Sequence, residues 1–282
     1  MIVEVYPTAG AAGQAAGSAV ARALRELGAQ REAVGVLFAT GASQVETLRA
    51  LTSTSNLPWD RVHGFHLDEY IGLDGDHPSS FRRYLRERLT SQVSMAAFHE
   101  MDGGATDLEG VKREYIQALF RTDPQICLLG IGENGHLAFN DPHEADFQDP
   151  MPIKTVTLDR VCREQQLAEG WFSSMEEVPK QALTLTIPTL MRVPRLVLSV
   201  PGRRKAAVVL RALRDPISTD CPATILRNHP NVTLYLDEEA AYLWKKDAMP
   251  SHALSEQDEG VGPGTGMHET RNSLMSDKIY SI

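Results

Sequence analysis

The chain has 282 residues, of which 42% are hydrophobic and 23% are charged, and its formal net charge is −9. This composition is typical of a globular protein with a substantial core, and it excludes disordered and fibrous classes. The negative charge argues against a nucleic-acid partner, because binding to a phosphate backbone needs a basic surface. No run approaches the roughly 20 apolar residues that span a bilayer, and the N-terminus lacks a secretory signal. We therefore expect a cytoplasmic protein with no membrane partner.

Short apolar, β-branched segments alternate with amphipathic stretches along most of the chain. The segments that predict strands are residues 2–6, 35–40, 61–67, 126–132, 195–200 and 231–237. A helix is predicted over residues 11–27, because alanine, valine and leucine side chains recur there at helical spacing. This alternation is typical of βαβ units, so the sequence predicts an α/β fold with a mainly parallel sheet.

Two further segments and the C-terminus complete the organisation. Residues 153–158 and 182–187 are predicted to pair as strands beside the main sheet, the second alternating apolar residues with threonine as a half-exposed strand does. Glycine and polar residues dominate after Trp244, and such a composition buries too little surface to offset the entropy of ordering. We predict one domain over residues 1–246 and a flexible polar tail over 247–282, with a short docking segment at its end.

The turn after the second predicted strand is a candidate anion site. Thr40, Gly41, Ala42 and Ser43 lie between that strand and a helix, and the free amides at a helix start bind phosphate well. A simple N-cap serine in a tight turn explains the same pattern, so this segment alone leaves both interpretations open. It lacks a Walker lysine, which argues against a nucleoside triphosphate.

Two other segments carry side chains suited to proton transfer. Asp68 and Glu69 follow the third predicted strand, where a carboxylate in a partly closed cleft can act as a general base, although acidic loops are also common on surfaces. His136 follows the fourth predicted strand in a glycine-rich segment, between Asn134 and Asp141. An imidazole titrates near neutrality, and Asp141 can orient it and stabilise its cation, which favours a functional role for His136.

A basic turn follows the fifth predicted strand. Arg203, Arg204 and Lys205 precede a helix, and cations at a helix N-terminus oppose its dipole at a cost of about 0.3–1 kcal/mol each. A bound anion offsets that cost, and Lys205 can meet a phosphate as a point charge. Three solvated basic residues are the alternative interpretation.

In their order along the chain these four segments resemble the glucosamine-6-phosphate deaminase family, which shares its fold with 6-phosphogluconolactonases. The most specific part of the likeness runs from Gly130 to Pro142, where His136 is followed by Leu-Ala-Phe-Asn-Asp-Pro. The lactonases typically have Ser-Leu-Phe-Pro after that histidine, so the deaminase branch is favoured. The resemblance implies a modified Rossmann-type open sheet with helices on both faces, and the conversion of glucosamine 6-phosphate to fructose 6-phosphate and ammonia.

The resemblance also implies roles for individual residues. Asp68 is expected to move the sugar's C2 proton to C1, and His136, held by Asp141 and Asn134, is expected to open the ring. The expected substrate-binding residues are Thr40, Gly41, Ala42, Ser43, Glu69, Gly135 and Lys205. One carboxylate and one acid suffice for this chemistry, so we expect no metal and no organic cofactor. The three cysteines also lack the paired spacing of a zinc cluster.

The chain departs from the best-known deaminases at several of these sites. Asn134 and Asp141 stand where those enzymes often carry Asp and Glu. Gln165 stands near a phosphate-binding arginine, which leaves Arg160 and Arg163 as candidates to replace it. Residues 151–155 lack an arginine that allosteric deaminases use, so we expect no activation of that kind. Hexamers are common among relatives, which makes a homo-oligomer one state to test. A 6-phosphogluconolactonase and a non-catalytic sugar-phosphate sensor are the alternative functions.

Overall fold

The computed structural model describes residues 1–248 and 278–282. Eight strands form its central sheet: β1 (Ile2–Tyr6), β2 (Val34–Phe38), β3 (Val62–His66), β5 (Ala97–His99), β6 (Ile126–Leu129), β9 (Arg195–Ser199), β10 (Val232–Asp237) and β11 (Lys278–Ser281). Their spatial order is β11-β1-β10-β9-β6-β2-β3-β5. β11 runs antiparallel to β1, and the other neighbours are parallel. The six strands predicted for the main sheet all lie in it, so the predicted α/β fold is confirmed.

Helices cover both faces of this sheet. They are α1 (Ala9–Gly28), α2 (Val45–Thr52), α3 (Phe81–Leu85), α4 (Leu108–Thr122), α5 (Arg160–Ala168), α6 (Ile187–Met191), α7 (Ala206–Arg214) and α8 (Glu238–Ala248). Side chains of a strand alternate between its two faces, and β2 shows the result. Val36 and Phe38 pack into a core with α1 and α2, whereas Leu37 packs into a second core with α4, α7 and α8.

The order of the strands opens a crevice between β2 and β6. These two strands are neighbours in the sheet, but the chain continues from β2 to β3 on one side and from β6 to β9 on the other. The loops that follow β2 and β6 therefore diverge. In open α/β sheets this reversal of strand order, at the carboxyl ends of the strands, is the usual place for a ligand.

A second, three-stranded antiparallel sheet lies beside the first. Its strands are β4 (Asp68–Tyr70), β7 (Ile153–Thr157) and β8 (Gln181–Leu185), in the order β4-β8-β7. The predicted pairing of the two extra segments is therefore confirmed. The half-exposed character predicted for the second is wrong, because Thr184 and Thr186 are fully buried. Their hydroxyls have partners there: Thr184 accepts from the Phe139 amide at 3.1 Å, and Thr186 donates to the Met151 carbonyl at 2.7 Å.

The C-terminal part departs from the predicted boundary at residue 246. α8 continues to Ala248, and residues 278–281 form β11 along the edge of β1. The Tyr280 ring meets Trp244 edge-on, with 5.0 Å between centroids. This strand corresponds to the docking segment expected at the chain end. Residues 249–277 lie outside the described residues, so their predicted flexibility stays a prediction. No helix in the described part is both long and apolar enough to cross a membrane.

Candidate active site

A cavity of about 360 Å³ opens at the carboxyl ends of β2, β3, β6 and β9. This is the edge where the reversal of strand order leaves room for a ligand, and the volume suits a small molecule. The predicted site residues that line it are Thr40, Gly41, Ala42, Ser43, Asp68, His136 and Lys205. The structure thus brings the candidate base, the candidate acid and the candidate anion site to one cavity, although they are far apart in sequence.

Asp68 is a buried carboxylic acid at the wall of this cavity. It is only 6% exposed, and among the described residues no donor is within hydrogen-bond distance of its carboxylate. Burial, and then the charge of neighbouring Glu69, raise the pKa of Asp68 well above its ordinary value. A buried carboxylate that accepts no hydrogen bond has an increased affinity for a proton, which is the property required of a general base.

His66 holds the backbone of Asp68 in place. Its Nε2 accepts a hydrogen bond from the Met101 amide at 2.6 Å, so its Nδ1 carries the proton and donates to the Asp68 carbonyl at 2.8 Å. Burial lowers the pKa of His66 to about 3, which keeps the ring neutral. The sequence analysis assigned no role to His66, because its partners come from β4 and from a distant loop.

The imidazole of His136 is fixed by Asp141. His136 Nδ1 and Asp141 Oδ1 lie 2.9 Å apart. Burial acts to raise the pKa of Asp141, but the hydrogen bond and charge of His136, with donors from Asn134 and Asp159, hold that pKa below its ordinary value. An ionised Asp141 accepts the proton of Nδ1, so Nε2 is the nitrogen left to exchange protons in the cavity.

Asn134 and Asp141 stand behind the imidazole, outside the cavity lining. Asn134 Nδ2 donates to Asp141 and to Asp159, at 2.9 Å each, and its carbonyl oxygen accepts the backbone amide of His136 at 3.0 Å. Neither residue is placed to touch a ligand. Their contacts are with His136 and its neighbours, and the holding role that the resemblance implied stays a prediction.

Two predicted substrate-binding residues are not in the cavity. Glu69 is fully buried, and its carboxylate accepts hydrogen bonds from Ser80 Oγ at 2.9 Å and from the amides of Phe81 and Arg82 at 3.1 and 3.0 Å. Successive side chains of a strand point to opposite faces, so Glu69 caps α3 while Asp68 meets the cavity. The prediction of a substrate-binding Glu69 is wrong.

Gly135 is the second of these residues. Its φ of +95° favours glycine, and a Cβ on it would lie 2.7 Å from Cys221 Sγ. Its carbonyl accepts the Ala223 amide at 2.8 Å. Gly135 therefore packs the loop against the chain after α7 and does not face a ligand, so this prediction is also wrong.

Two similar turns line another part of the cavity. Gly41 and Gly202 have φ values of +88° and +96°, and each begins a single 3-10 turn, Ala42–Gln44 or Arg203–Lys205, that leads into α2 or α7. Lys205, the last residue of the second turn, lines the cavity together with both turns. Lys205 is 8% exposed, and within the described ranges no hydrogen-bond or ion-pair partner contacts its Nζ. A buried cation beside the first amides of two helices is well suited to an anion.

The neighbouring arginines are engaged by other groups. Arg204 forms an ion pair with Glu133 at 3.1 Å. The Arg203 guanidinium lies over the Tyr242 ring, 3.6 Å from its centroid. Both residues are partly exposed at the rim of the cavity. Lys205 is therefore the basic residue best placed to receive a ligand's anionic group.

Comparisons with known proteins place the chain in a family. Residues 7–235 match the family described as glucosamine-6-phosphate isomerases/6-phosphogluconolactonase. The chain belongs to this family. A glucosamine-6-phosphate deaminase from Staphylococcus saprophyticus is 33% identical over 211 residues, which cover 72% of this chain and 85% of the relative. One from Listeria monocytogenes serotype 4b is 34% identical over 228 residues, covering 81% and 95%.

Solved structures support the same assignment. A monomeric glucosamine-6-phosphate deaminase aligns with a TM-score of 0.79 and 33% identity, covering 86% of this chain and 100% of that chain. A 6-phosphogluconolactonase from Trypanosoma brucei aligns with a TM-score of 0.71 at 20% identity, covering 85% and 97%, which shows a common fold. The resemblance inferred from the sequence motifs is confirmed.

Three cavity residues were missed as ligand contacts by the sequence analysis. Gln165, Gln166 and Glu169 come from α5 and the residue after its end, and all three line the cavity. The Glu133 amide donates to Gln165 Oε1 at 3.0 Å, and Gln165 Nε2 donates to Glu169 Oε1 at 2.8 Å. Their spacing along the helix is the signal that could have grouped them, but a polar helix face is more often solvent-exposed.

Neither arginine expected to replace the missing phosphate ligand does so. Arg160 is 86% exposed and pairs with Glu164. Arg163 Nη2 donates to the backbone carbonyls of Met175 and Val178. The helical turn of α5 carries both guanidinium groups away from the cavity and presents glutamines to it instead.

Two clusters among the described residues have donor atoms close enough to consider for a metal ion: His136, Asp141 and Cys162, and Asp141, His143 and Asp159. In each cluster the donor atoms lie within 4.8 Å of one another. However, His136 Nδ1 and Asp141 Oδ1 are already joined by a hydrogen bond, and Asn134 also donates to that oxygen. The expectation of a reaction without metal or organic cofactor stays a prediction.

Proposed function

We propose that the protein converts glucosamine 6-phosphate and water to fructose 6-phosphate and ammonia. One observation carries the proposal: Asp68 and His136 line the same cavity as Lys205, whose ammonium has no hydrogen-bond or ion-pair partner among the described residues. Family membership and the names of its deaminase relatives support the same reaction.

His136 is suited to the opening of the sugar ring. Its Nε2 can take a proton from the anomeric hydroxyl and then give it to the ring oxygen, while Asp141 stabilises the imidazolium that forms between these steps. Opening the ring exposes an aldehyde at C1, which acidifies the proton on C2. Ring opening therefore prepares the substrate for a base that removes the proton from C2.

Asp68 is suited to the isomerisation. It takes the C2 proton to give an enolamine, and its newly gained proton is then delivered to C1, which leaves an imine at C2. Water adds to that imine and ammonia leaves, giving the 2-ketose. Burial raises the pKa of Asp68, so the carboxylate competes better for a proton on carbon than an exposed aspartate does.

In this proposal the phosphate binds beside Lys205. Thr40, Ser43 and the residues of the Gly41 and Gly202 turns line the cavity together with that lysine. Holding this group fixes C1 and C2 relative to the two proton-transfer residues. Such positioning converts an encounter of several groups into a reaction within one complex.

The proposal is tested by incubating the purified protein with glucosamine 6-phosphate and, separately, with 6-phosphogluconolactone. We expect ammonia release from the first, and in D₂O we expect deuterium at C1 of the ketose only to the extent that the proton on Asp68 exchanges with solvent before it is delivered. Asp68→Asn should lower kcat by about 10²–10⁴-fold, and Glu164→Gln on the exposed side of α5 should leave it unchanged. Acid release from the lactone alone would identify a lactonase, and binding without turnover would identify a sensor.

Three expectations about the protein's setting stay predictions. They are a location in the cytoplasm, self-association, and the lack of a nucleic-acid partner. Light scattering on the purified chain tests self-association directly. A sugar phosphate as the small-molecule partner is consistent with the family.

A further inference from the structure

We propose that Glu169 is a built-in competitor for the anion end of the cavity. The negative charge of its carboxylate balances the positive charge of Lys205 when no ligand is bound, and an incoming phosphate group has to displace that carboxylate. The inference rests on the proposed function only in treating this end of the cavity as the phosphate site. Glu169 would thus set the affinity of this site by weakening the binding of small dianions.

The position of Glu169 supports this role. It follows the last residue of α5 and lines the same cavity as Lys205. Its Oε2 lies 4.0 Å from where a Cβ on Gly41 would be, so the carboxylate stands at the turn that was predicted to hold phosphate. A negatively charged group already occupies the neighbourhood that a phosphate needs.

Neutral groups hold this carboxylate. Gln165 Nε2 donates to Oε1 at 2.8 Å, and the indole Nε1 of Trp171 donates to Oε2 at 3.0 Å. Across the described residues Glu169 has no ion pair, so contact with a cation does not neutralise its charge. The Trp171 ring also meets Tyr84 edge-on, and Tyr84 donates to the Gly41 carbonyl at 2.8 Å. Glu169 is therefore linked structurally to the phosphate turn.

Two glutamates in the cavity lining act on the charge of Lys205. Burial lowers the pKa of Lys205, and the charge of Glu169 is the foremost influence that opposes this shift, followed by that of Glu133. Glu133 is itself paired with Arg204 at 3.1 Å. The negative charge of Glu169 thus favours the charged form of Lys205 when no anionic ligand is bound.

A phosphate dianion near Lys205 would meet the Glu169 carboxylate as a like charge. Repulsion between two such groups in a partly buried site weakens binding on the order of tenfold or more. A sugar phosphate also contacts the part of the cavity lined by Asp68 and His136, which offsets this cost, whereas inorganic phosphate makes no such contacts. Glu169 therefore weakens both ligands by a similar factor and leaves the free anion a poor ligand at concentrations at which the sugar phosphate binds.

An ordinary substrate-binding glutamate makes the opposite prediction. If Glu169 accepted a hydrogen bond from the ligand, its removal would weaken binding. If Glu169 competes with the ligand, its removal strengthens binding. The sign of the change separates the two roles.

Calorimetric titration with inorganic phosphate measures that sign. We compare the full-length protein with Glu169→Gln and with Glu164→Gln, a control on α5 whose side chain faces solvent and pairs with Arg160. The Kd for phosphate is expected to fall fivefold or more in Glu169→Gln and to stay the same in the control. A smaller fall, no change, or a rise in Glu169→Gln overturns the inference.

Tryptophan fluorescence provides a test in the unaltered protein. Displacement of Glu169 breaks its hydrogen bond to the Trp171 indole, so phosphate should change the emission with the Kd found by calorimetry. In Trp171→Phe the fluorescence change should be lost while phosphate still binds. An unchanged emission in the unaltered protein at saturating phosphate, or a persistent change in Trp171→Phe, contradicts the displacement. Binding of inorganic phosphate requires no turnover, so these binding results do not depend on the outcome of the deaminase assay.

Discussion

Replacing Gly132 with alanine should misplace the His136 imidazole without altering a reacting group. An added Cβ would lie 2.2 Å from both Cε1 and Nε2 of His136. Because carbon contacts are favourable at about 3.5–4.0 Å, the ring has to move by at least about 1.3 Å, the difference between 3.5 and 2.2 Å. Its 2.9 Å hydrogen bond to Asp141 does not survive such a shift in the present geometry. A displacement of about 1 Å can cost 100-fold in rate, so we expect kcat/KM to fall at least about 100-fold.

Ammonia release from glucosamine 6-phosphate measures this effect, with circular dichroism and thermal melting to establish that the variant is folded. Gly10→Ala is the matched control, because a Cβ at that position meets no atom closer than 3.9 Å. We expect its kcat/KM to equal that of the unaltered protein. If folded Gly132→Ala kept more than a tenth of the original kcat/KM, the argument that this glycine makes room for the imidazole would be refuted.

Three other predictions follow from the same structure. A base works only when deprotonated, and burial and the charge of Glu69 raise the pKa of Asp68. As the pH falls, kcat/KM should therefore be lost at a pH above the ordinary aspartate range. A loss of kcat/KM that begins only at or below pH 4 would contradict this. The unfolded chain takes up a proton at His66 below its ordinary pKa of 6.5, whereas the folded protein does so only near 3. His66 should therefore lower the free energy of unfolding by about 1.4 kcal/mol between pH 7.5 and 5.5, a share that urea titrations should find missing in His66→Asn. Deleting residues 278–282 should lower the free energy of unfolding on the order of 1 kcal/mol, because Tyr280 is only partly buried and full burial of a large apolar side chain contributes about 1.5–3 kcal/mol. The deletion should leave kcat unchanged, and an unaltered melting temperature would show that β11 does not stabilise the sheet.

The main sheet could be predicted because each of its principal strands is a buried apolar run of ordinary length. β4 and β5 have three residues each, too few to show the alternation that identifies a strand. β11 lies in a polar sequence and exists as a strand because it pairs with β1. Such elements depend on partners that are distant in the chain, which no local pattern reports.

The candidate site divides in the same way. Asp68 and His136 were predictable because each ends a recognisable strand, and strand ends meet at one edge of a parallel sheet. Gln165 and Glu169 were not, because a polar helix face usually meets water. Their position over the cavity depends on how α5 packs beside the second sheet. The functional roles of the strand-end residues could thus be inferred locally, whereas those of α5 needed the tertiary structure.

Asp68 and Glu69 show why burial alone does not identify a base. Burial raises the pKa of both carboxyl groups. Around Glu69, the amides of Arg82 and Phe81 and the Ser80 hydroxyl oppose that shift and tie the group to the start of α3. Asp68 receives no such donor within the described residues, and the charge of Glu69 raises its pKa further. Within β4, Glu69 therefore has a structural role, whereas Asp68 has the raised proton affinity of a base. Glu69 favours the proposed proton transfer through its effect on the pKa of Asp68, without contacting the substrate.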